Sequence, residues 1–448
     1  MAKNIQPTEK SPKLIVGLDI GTTKILMVMG YLRDDGKIEV CGYGKGPSTG
    51  VEYGLVFNLQ ETIDDISIAL NQLLNSIDEP VDEVYVGVAG RHIKSIACTN
   101  SVTRPDGLDN MVAQEEVAKM LSDMLCMKVK GSEVITVIPQ YYEADERKTT
   151  RPRGTLCQKL VGHYQLVTGD TEDVKRICLS VSGARLTSKK LILEPIASGE
   201  VCLTEAEKKN GVALIDIGGG TTDLVIFHQG VPVFIKVIPV GGEVITNDIA
   251  SLNLTKEQAE SLKINHGNCI PADTKPDNFI TIPDGTGYGQ PLKISETNLS
   301  QVISARVSED ILKPVRRAIE ESGYDKYVRN VVVTGGGAGL RNMPQLCEFI
   351  LNKNTRIGYP TEGISGTTDS ALRHTTCSTA LGLLRLGCLE EGQHAAPSNT
   401  DMKEESPKGP AKKGPENPEK KTRKMGEFID SITDWFGKFI SMPSDGVN

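Results

Sequence analysis

The sequence predicts an α/β fold built from two related halves, and a pair of similar motifs is the main reason. Residues 19–24 (Asp-Ile-Gly-Thr-Thr-Lys) follow the apolar run 14–18, and residues 216–223 (Asp-Ile-Gly-Gly-Gly-Thr-Thr-Asp) follow the apolar run 212–215. Each motif is typical of a buried strand, a tight turn and a second apolar strand, which together form a β-hairpin. The repetition predicts a duplicated architecture.

Both turns have the composition of an anion-binding loop. Glycine lets backbone N–H groups come close to an anion, and threonine hydroxyls add further donors. Asp19 and Asp216, at the end of each first strand, suit a hydrated divalent cation. One such turn occurs in many β proteins, but two copies after equivalent strands predict a duplicated nucleotide clamp.

A third glycine-rich loop follows another buried strand. Residues 331–334 are apolar and β-branched, and residues 335–340 read Gly-Gly-Gly-Ala-Gly-Leu. These glycines would let a flat ring or a ribose lie against bare backbone. The alternative is an ordinary glycine-rich loop between a strand and a helix.

Taken in order, these segments resemble the five motifs of the actin, Hsp70 and sugar-kinase ATPase superfamily. Residues 194–199 (Glu-Pro-Ile-Ala-Ser-Gly) resemble the segment that opens the helix joining the two halves, and residues 378–384 resemble the second connecting helix. The resemblance covers residues 14–390 and implies an actin-like duplicated ATPase fold.

Composition restricts the class of protein further. The chain has 448 residues, 38% of them hydrophobic and 24% charged, which is typical of a globular protein of two or more domains. A net charge of −8 argues against nucleic acid as a partner. Ten scattered cysteines favour free thiols over a disulfide framework or a zinc site. No signal core or long apolar run is present, so we expect a cytoplasmic protein.

The composition changes abruptly after residue 389. Residues 391–424 contain five prolines among Lys, Glu, Gly, Ser and Asn, and such a segment cannot bury a core. We therefore expect a disordered linker, and a coil of this length would span on the order of 30 Å.

Beyond the linker, residues 425–440 form an amphipathic pattern. On a helical projection the apolar residues fall within an arc of roughly 140°. The residues expected to enter a membrane surface are Phe428, Ile432, Trp435, Phe436 and Phe439. Four cations precede them at Lys420, Lys421, Arg423 and Lys424. The segment is too short to span a bilayer, so it predicts an interfacial anchor. The alternatives are docking in a partner's groove or on the chain's own domain.

This order of parts, with a linker and amphipathic tail after the second connecting helix, resembles the FtsA family of bacterial cell-division proteins. In that family a unique subdomain is inserted in the first half. The resemblance implies subdomain 1A at 13–87 and 164–210, the inserted 1C at 88–163, 2A at 211–245 and 325–375, 2B at 246–324, and the connecting helix at 376–390. Within 2B, residues 246–262 and 296–321 read as helices, and a loop-rich stretch separates them.

The resemblance also implies ATP and Mg²⁺ between the two halves. The phosphates would be held by Gly21, Thr22, Thr23, Lys24, Gly218, Gly219, Gly220, Thr221 and Thr222. Asp19 and Asp216 would hold waters of the Mg²⁺ shell, and Gly242, Lys263, Gly335, Gly336 and Gly337 would border the nucleoside. Glu194 stands where the family orients the attacking water; its alternative role is an acid that stabilises a helix N-terminus.

The function that the resemblance implies is a linker between a polymer and a membrane. The chain would polymerise with itself, bind the C-terminal peptide of the tubulin-like protein FtsZ through 2B, meet other division proteins, and lie on the anionic cytoplasmic face of the inner membrane. Two alternatives share the fold: a pilus-assembly adaptor and a small-molecule kinase. Neither requires a tethered amphipathic helix.

Overall fold

A computed structural model of the protein describes residues 12–77, 79–104, 111–283, 291–366 and 368–394. The predicted tail at 425–440 and all but the first residues of the predicted linker lie outside these ranges. Within them, no helix is both long enough and apolar enough to cross a membrane.

The described chain contains eighteen strands and eleven helices. The strands are β1 (Ile15–Ile20), β2 (Ile25–Leu32), β3 (Ile38–Gly46), β4 (Val51–Glu52), β5 (Leu55–Val56), β6 (Glu83–Val88), β7 (Lys94–Thr103), β8 (Ser132–Ala144), β9 (Arg147–Thr149), β10 (Lys159–Asp170), β11 (Thr187–Leu193), β12 (Val212–Ile217), β13 (Thr222–His228), β14 (Val231–Ile238), β15 (Phe279–Ile282), β16 (Leu292–Ser295), β17 (Asn330–Thr334) and β18 (Asn354–Ile357). The helices are α1 (Leu59–Leu74), α2 (Gln114–Leu125), α3 (Thr171–Gly183), α4 (Glu194–Cys202), α5 (Glu205–Asn210), α6 (Gly242–Ala250), α7 (Lys256–His266), α8 (Glu296–Arg306), α9 (Lys313–Glu321), α10 (Met343–Leu351) and α11 (Ser378–His394).

The predicted duplication is present as two five-stranded sheets with the same topology. The first sheet has the order β3-β2-β1-β6-β11 and the second has the order β14-β13-β12-β17-β18. In each, the first three strands form an antiparallel meander and the last two join in parallel. All six residues of β1 and all six of β12 are buried, as expected for central strands covered on both faces.

The chain divides into two compact units. Among the described residues, the large unit contains 12–95, 130–136 and 167–388, and therefore both five-stranded sheets. The small unit contains the described residues of 96–129 and 137–166, together with the end of α11 from residue 389. Strands β7, β10, β8 and β9 form, in that order, a separate four-stranded sheet.

Two expectations for residues 246–295 are wrong in detail. The helix expected at 246–262 is two helices, because the chain turns at Asn253, whose φ of 66° is left-handed. Thr255 then starts α7 with a capping box that includes Gln258. The stretch expected to be loop contains the antiparallel pair β15 and β16. The other predicted helix, at 296–321, is present as α8 and α9 joined by a π-helical turn at Val307–Leu312.

Candidate functional site

The two predicted hairpins have matching turns. In the first, Ile20 pairs with Ile25 and the N–H of Gly21 donates to the carbonyl oxygen of Lys24 over 3.1 Å. In the second, the N–H of Gly218 donates to the carbonyl oxygen of Thr221 over 2.9 Å. The strands are buried and apolar, so each turn is held at the end of a rigid hairpin.

The two turns lie against each other within the large unit. A Cβ added at Gly219 would lie 2.4 Å from Cγ2 of Thr23, and one at Gly220 would lie 2.8 Å from Oγ1 of Thr22. No side chain fits at these two glycines without displacing the first turn. Gly219 and Gly220 are therefore required by the close approach of the first half of the chain.

Four carboxylates and one lysine lie beneath the turns. Asp19 is 5% exposed and Asp216 is 8% exposed. The Nζ of Lys24 lies 3.2 Å from Oδ2 of Asp19 in a partly buried ion pair. Burial lowers the pKa of Lys24, but the charge and hydrogen bond of Asp19, together with the charges of Cys377 and Glu194, outweigh burial and leave that pKa raised. Lys24 is thus held as a cation within the acidic cluster.

Glu194 is the first residue of α4 and faces the same cluster. Burial, together with the charges of Asp19 and Asp223, raises the pKa of Glu194 well above its usual range. A Cβ at Gly87 would lie 3.1 Å from Cγ of Glu194, so the glycine of β6 makes room for this side chain. The position satisfies both interpretations of Glu194, since an acid in a helix first turn is stabilised by the dipole.

Asp223 is a carboxylate of this cluster that the sequence assignment left without a role. It is 4% exposed and pairs with Asp216 across the second hairpin. Burial, followed by the charge of Asp216, raises the pKa of Asp223 to about 8. Its Oδ1 is buried and has no hydrogen-bond partner among the described residues. An aspartate that opens the otherwise apolar run of β13 was the signal available in the sequence.

Burial also raises the pKa of Asp216, to about 6, although a hydrogen bond from Ser198 opposes that shift. The cluster therefore contains more carboxyl groups than the single positive charge of Lys24 can neutralise. Among the described residues, no three His, Cys, Asp or Glu side chains are grouped to ligate a metal ion directly. A hydrated cation bound through water fits this arrangement of carboxylates better than a directly ligated one.

Helix α6 starts on the second turn. The N–H groups of Gly242 and Glu243 donate to the carbonyl oxygens of Gly218 and Gly219, each over 2.8 Å. Lys263 of α7 reaches the same place, because its Nζ lies 3.0 Å from the carbonyl oxygen of Gly242. It is also paired with Glu260 at 2.7 Å. The structure thus brings Lys263 to the turn, and its contact with a nucleoside stays a prediction.

The third glycine loop closes the other side of the second hairpin. Gly335 has a φ of 83°, and a Cβ there would lie 2.3 Å from Oδ1 of Asp216. Gly337 lies against Ile217, where a Cβ would be 2.4 Å from Cγ2. The loop continues as a 3₁₀ turn at Gly336–Gly339. All three predicted loops therefore meet around Asp216.

This geometry defines an actin-like ATPase fold: two sheets of one topology, each with a glycine and threonine hairpin turn, joined by the helices α4 and α11. A solved structure titled "PilM-PilN type IV pilus biogenesis complex" has the same fold, with a TM-score of 0.57 and 18% identity over 84% of this chain and 98% of that one.

The sequence relatives identify the family. A Neisseria meningitidis protein described as "Cell division protein FtsA" is 33% identical over 402 residues, which are 88% of this chain and 95% of that protein. The protein of the same description from Bacillus subtilis is 30% identical over 379 residues, 84% of each chain. Family models for "Cell division protein FtsA" and "SHS2 domain inserted in FTSA" match residues 213–382 and 90–168. The chain belongs to the FtsA family of cell-division proteins, and these relatives do not favour the pilus-adaptor or kinase alternatives.

Proposed function

We propose that this chain binds ATP with Mg²⁺ between its two hairpin turns, polymerises in that state, and links FtsZ filaments to the cytoplasmic membrane at the division site. The observation that carries the proposal is the contact of the two turns directly above the acidic cluster. Backbone N–H groups of both turns would then face one anion-binding place. The hydroxyls of the second turn are engaged within the protein, because Thr222 donates to the carbonyl oxygen of Val240 over 2.8 Å and Thr221 donates to Oδ2 of Asp223 over 3.4 Å.

The residues present fit the nucleotide and its cation. Gly21 to Lys24 would hold the phosphates from one half, and Gly218 to Thr222 from the other. Mg²⁺ would neutralise negative charge on the phosphates. Asp19 and Asp216 would hold water molecules of its shell, and the unpartnered Oδ1 of Asp223 is available for another. Gly242, Lys263 and residues 335–337 would border the nucleoside.

Calorimetry with ATP and Mg²⁺ tests the site. Asp216→Ala should weaken binding strongly because it removes a carboxylate from the cation site. Gly336→Asp should weaken it as strongly because it places a charged side chain on the adenosine floor. Gly366→Ala is a matched control, because a Cβ there would meet no atom within 4 Å. Unchanged affinity in folded Asp216→Ala and Gly336→Asp proteins would refute the site.

From the family resemblance, we assign docking of the FtsZ C-terminal peptide to residues 246–324. The described residues of this segment expose two large apolar side chains, Ile264 at 69% and Phe279 at 55%. Large apolar side chains can anchor a bound partner by filling one of its pockets. We therefore expect Ile264 or Phe279 to contact the peptide.

Fluorescence anisotropy of a labelled FtsZ C-terminal peptide tests this assignment. Ile264→Ser and Phe279→Ser should each be examined in the full chain, and at least one should weaken binding by roughly tenfold, the equivalent of ~1.4 kcal/mol. Phe349→Ser, which alters a phenylalanine 85% exposed on α10, is the matched control and should bind normally. Equal affinity in all four proteins would contradict the assignment to 246–324.

A further inference from the structure

Helices α4 and α11 cross in direct backbone contact. A Cβ at Gly382 of α11 would lie 1.9 Å from the carbonyl oxygen of Ala197 on α4. On the other side of α11, a Cβ at Gly17 of β1 would lie 2.7 Å from the carbonyl oxygen of Ala380. Only glycine permits approach this close, so the crossing point of the two connecting helices is fixed.

Two buried hydroxyl groups lie at this crossing. Ser198 of α4 is 0% exposed and Thr379 of α11 is 8% exposed. The hydroxyl of Ser198 donates to Oδ2 of Asp216 over 2.7 Å. Its oxygen also lies 3.1 Å from Oγ1 of Thr379. The three residues belong to three different elements: the two connecting helices and the central strand of the second sheet.

The direction of the hydrogen bonds follows from the number of protons. A serine hydroxyl carries one proton, and that proton is engaged by the Asp216 carboxylate. The remaining bond therefore runs from the Thr379 hydroxyl to the Ser198 oxygen. Thr379 donates to Ser198, and Ser198 donates to Asp216, so Thr379 reaches the carboxylate only through Ser198.

We propose that Ser198 and Thr379 are positioning residues, which orient the Asp216 carboxylate according to how the two connecting helices cross. The inference rests on the proposed nucleotide site, and it assigns to Thr379 an influence on a cation that it does not touch. Neither hydroxyl has a role in the sequence assignment above, although both lie within the segments that resemble the connecting helices.

The coupling must act in both directions, because a coupling free energy between two sites is reciprocal. If the helix crossing orients Asp216, then cation and nucleotide bound at Asp216 stabilise the crossing. Hydrogen exchange along α4 and α11 should therefore slow when ATP and Mg²⁺ bind. Thr379→Val should lose most of this slowing.

A double-mutant cycle tests the order of the hydrogen bonds. ATP affinity in the presence of Mg²⁺ is measured by calorimetry for four full-length proteins: wild type, Ser198→Ala, Thr379→Val and the double variant. Each single variant should bind about tenfold more weakly, the equivalent of ~1.4 kcal/mol. The double variant should bind no more weakly than Ser198→Ala. Independent effects that multiply to about a hundredfold would overturn the inference.

Two further variants separate positioning from stability. Thr379→Ser keeps the hydroxyl and should bind like wild type. Ser378→Ala removes a buried hydroxyl from the adjacent position, where it contacts Thr334 at 2.8 Å and the carbonyl oxygen of Thr375 at 3.0 Å. That variant can lose thermal stability but should keep its affinity for ATP.

The outcomes also distinguish this inference from the proposed function. With Mg²⁺ removed by EDTA, the difference in ATP affinity between wild type and Thr379→Val should disappear. Wild-type affinity in Thr379→Val with Mg²⁺ present would overturn the positioning role alone. A wild-type chain that binds no nucleotide would overturn the proposed function, and the positioning role with it.

Discussion

The two interpretations of Glu194 predict different effects of mutating it. As a water-orienting carboxylate it would act on hydrolysis, and as a first-turn acid it would act on stability. Its raised pKa comes mainly from burial, followed by the charge of Asp19, and its position at the start of α4 is common to both roles.

We expect Glu194→Ala to bind ATP normally and to lose ATP turnover, since this side chain would act on the attacking water rather than on the nucleotide. Single-turnover assays and calorimetry on one preparation measure both properties. Equal turnover, with a loss of about 0.3–1 kcal/mol in unfolding free energy, would instead assign Glu194 to the helix dipole.

Asp223 predicts a pH dependence of stability in the absence of cation. In the folded chain its pKa is about 8, whereas an unfolded aspartate has a pKa near 4. Between these values the folded state binds more protons than the unfolded state, so the free energy of unfolding falls as pH rises. The expected loss from pH 6 to 8 is about 2 kcal/mol, at ~1.4 kcal/mol for each pH unit.

Thermal unfolding in EDTA at pH 6, 7 and 8 measures this effect. Asp223→Asn should reduce the pH dependence, because the amide does not titrate, and the slope that remains belongs to Asp216 and Glu194, whose pKa values burial also raises. Asp277→Asn, a change at an exposed aspartate, should leave the wild-type slope in place. A wild-type slope retained in Asp223→Asn would contradict the assignment to Asp223.

At the scale of elements, the crossing of α4 and α11 leaves no room for a side chain at Gly382. Replacing a helical glycine by alanine ordinarily stabilises a protein by about 0.4–1 kcal/mol. Here the added methyl would lie 1.9 Å from a backbone oxygen that cannot rotate away. Steric overlap therefore exceeds the gain in entropy.

We expect Gly382→Ala to lower the free energy of unfolding by roughly 1–3 kcal/mol or more, the usual effect of overpacking. Urea denaturation gives this value directly. Gly366→Ala, in open space, should change it by much less. An unchanged free energy of unfolding in Gly382→Ala would show that the helices separate without cost.

The amphipathic segment 425–440 lies outside the described residues, and its role as a membrane anchor stays a prediction. Phe436→Glu should abolish binding to anionic liposomes, because insertion would desolvate the new charge. Lys438→Glu, on the polar side, should have a smaller, salt-dependent effect. Titration of Trp435, the chain's only tryptophan, should show a blue shift in wild type and none in Phe436→Glu. A shift seen only with a partner protein would mean that the segment is a docking peptide.

At the scale of the whole molecule, a single amphipathic helix is a weak anchor. Fully burying one large apolar side chain contributes about 1.5–3 kcal/mol, and insertion among headgroups realises only part of it. A filament that carries many copies gains avidity without new contacts. ATP should therefore strengthen membrane binding if it favours the polymer.

We expect co-sedimentation with liposomes to increase with ATP and to rise steeply with protein concentration. A chain that ends at Ala396 should polymerise with ATP but stay off liposomes. Asp216→Ala should keep only the weak binding of single helices. Liposome binding that is the same with and without ATP would contradict the coupling between nucleotide and membrane.

The sequence alone determined the duplicated hairpins. An apolar strand that ends in Asp-Ile-Gly is a local pattern, and it can be recognised from consecutive residues without knowing what packs against them. The same holds for the candidate phosphate residues 21–24 and 218–222. Local patterns were less informative between 246 and 262, where a left-handed residue at Asn253 interrupts a sequence that reads as one helix.

Only the tertiary structure decided which residues meet. Ser198 and Thr379 are separated by 181 positions, and their contact depends on how α4 and α11 cross. The contact of Gly219 with Thr23, and the raised pKa of Asp223, likewise follow from the approach of two halves of the chain. Burial and electrostatic environment depend on residues that are neighbours in space rather than in sequence. The sequence therefore provided the candidate groups, and the packing of the halves placed them in one site.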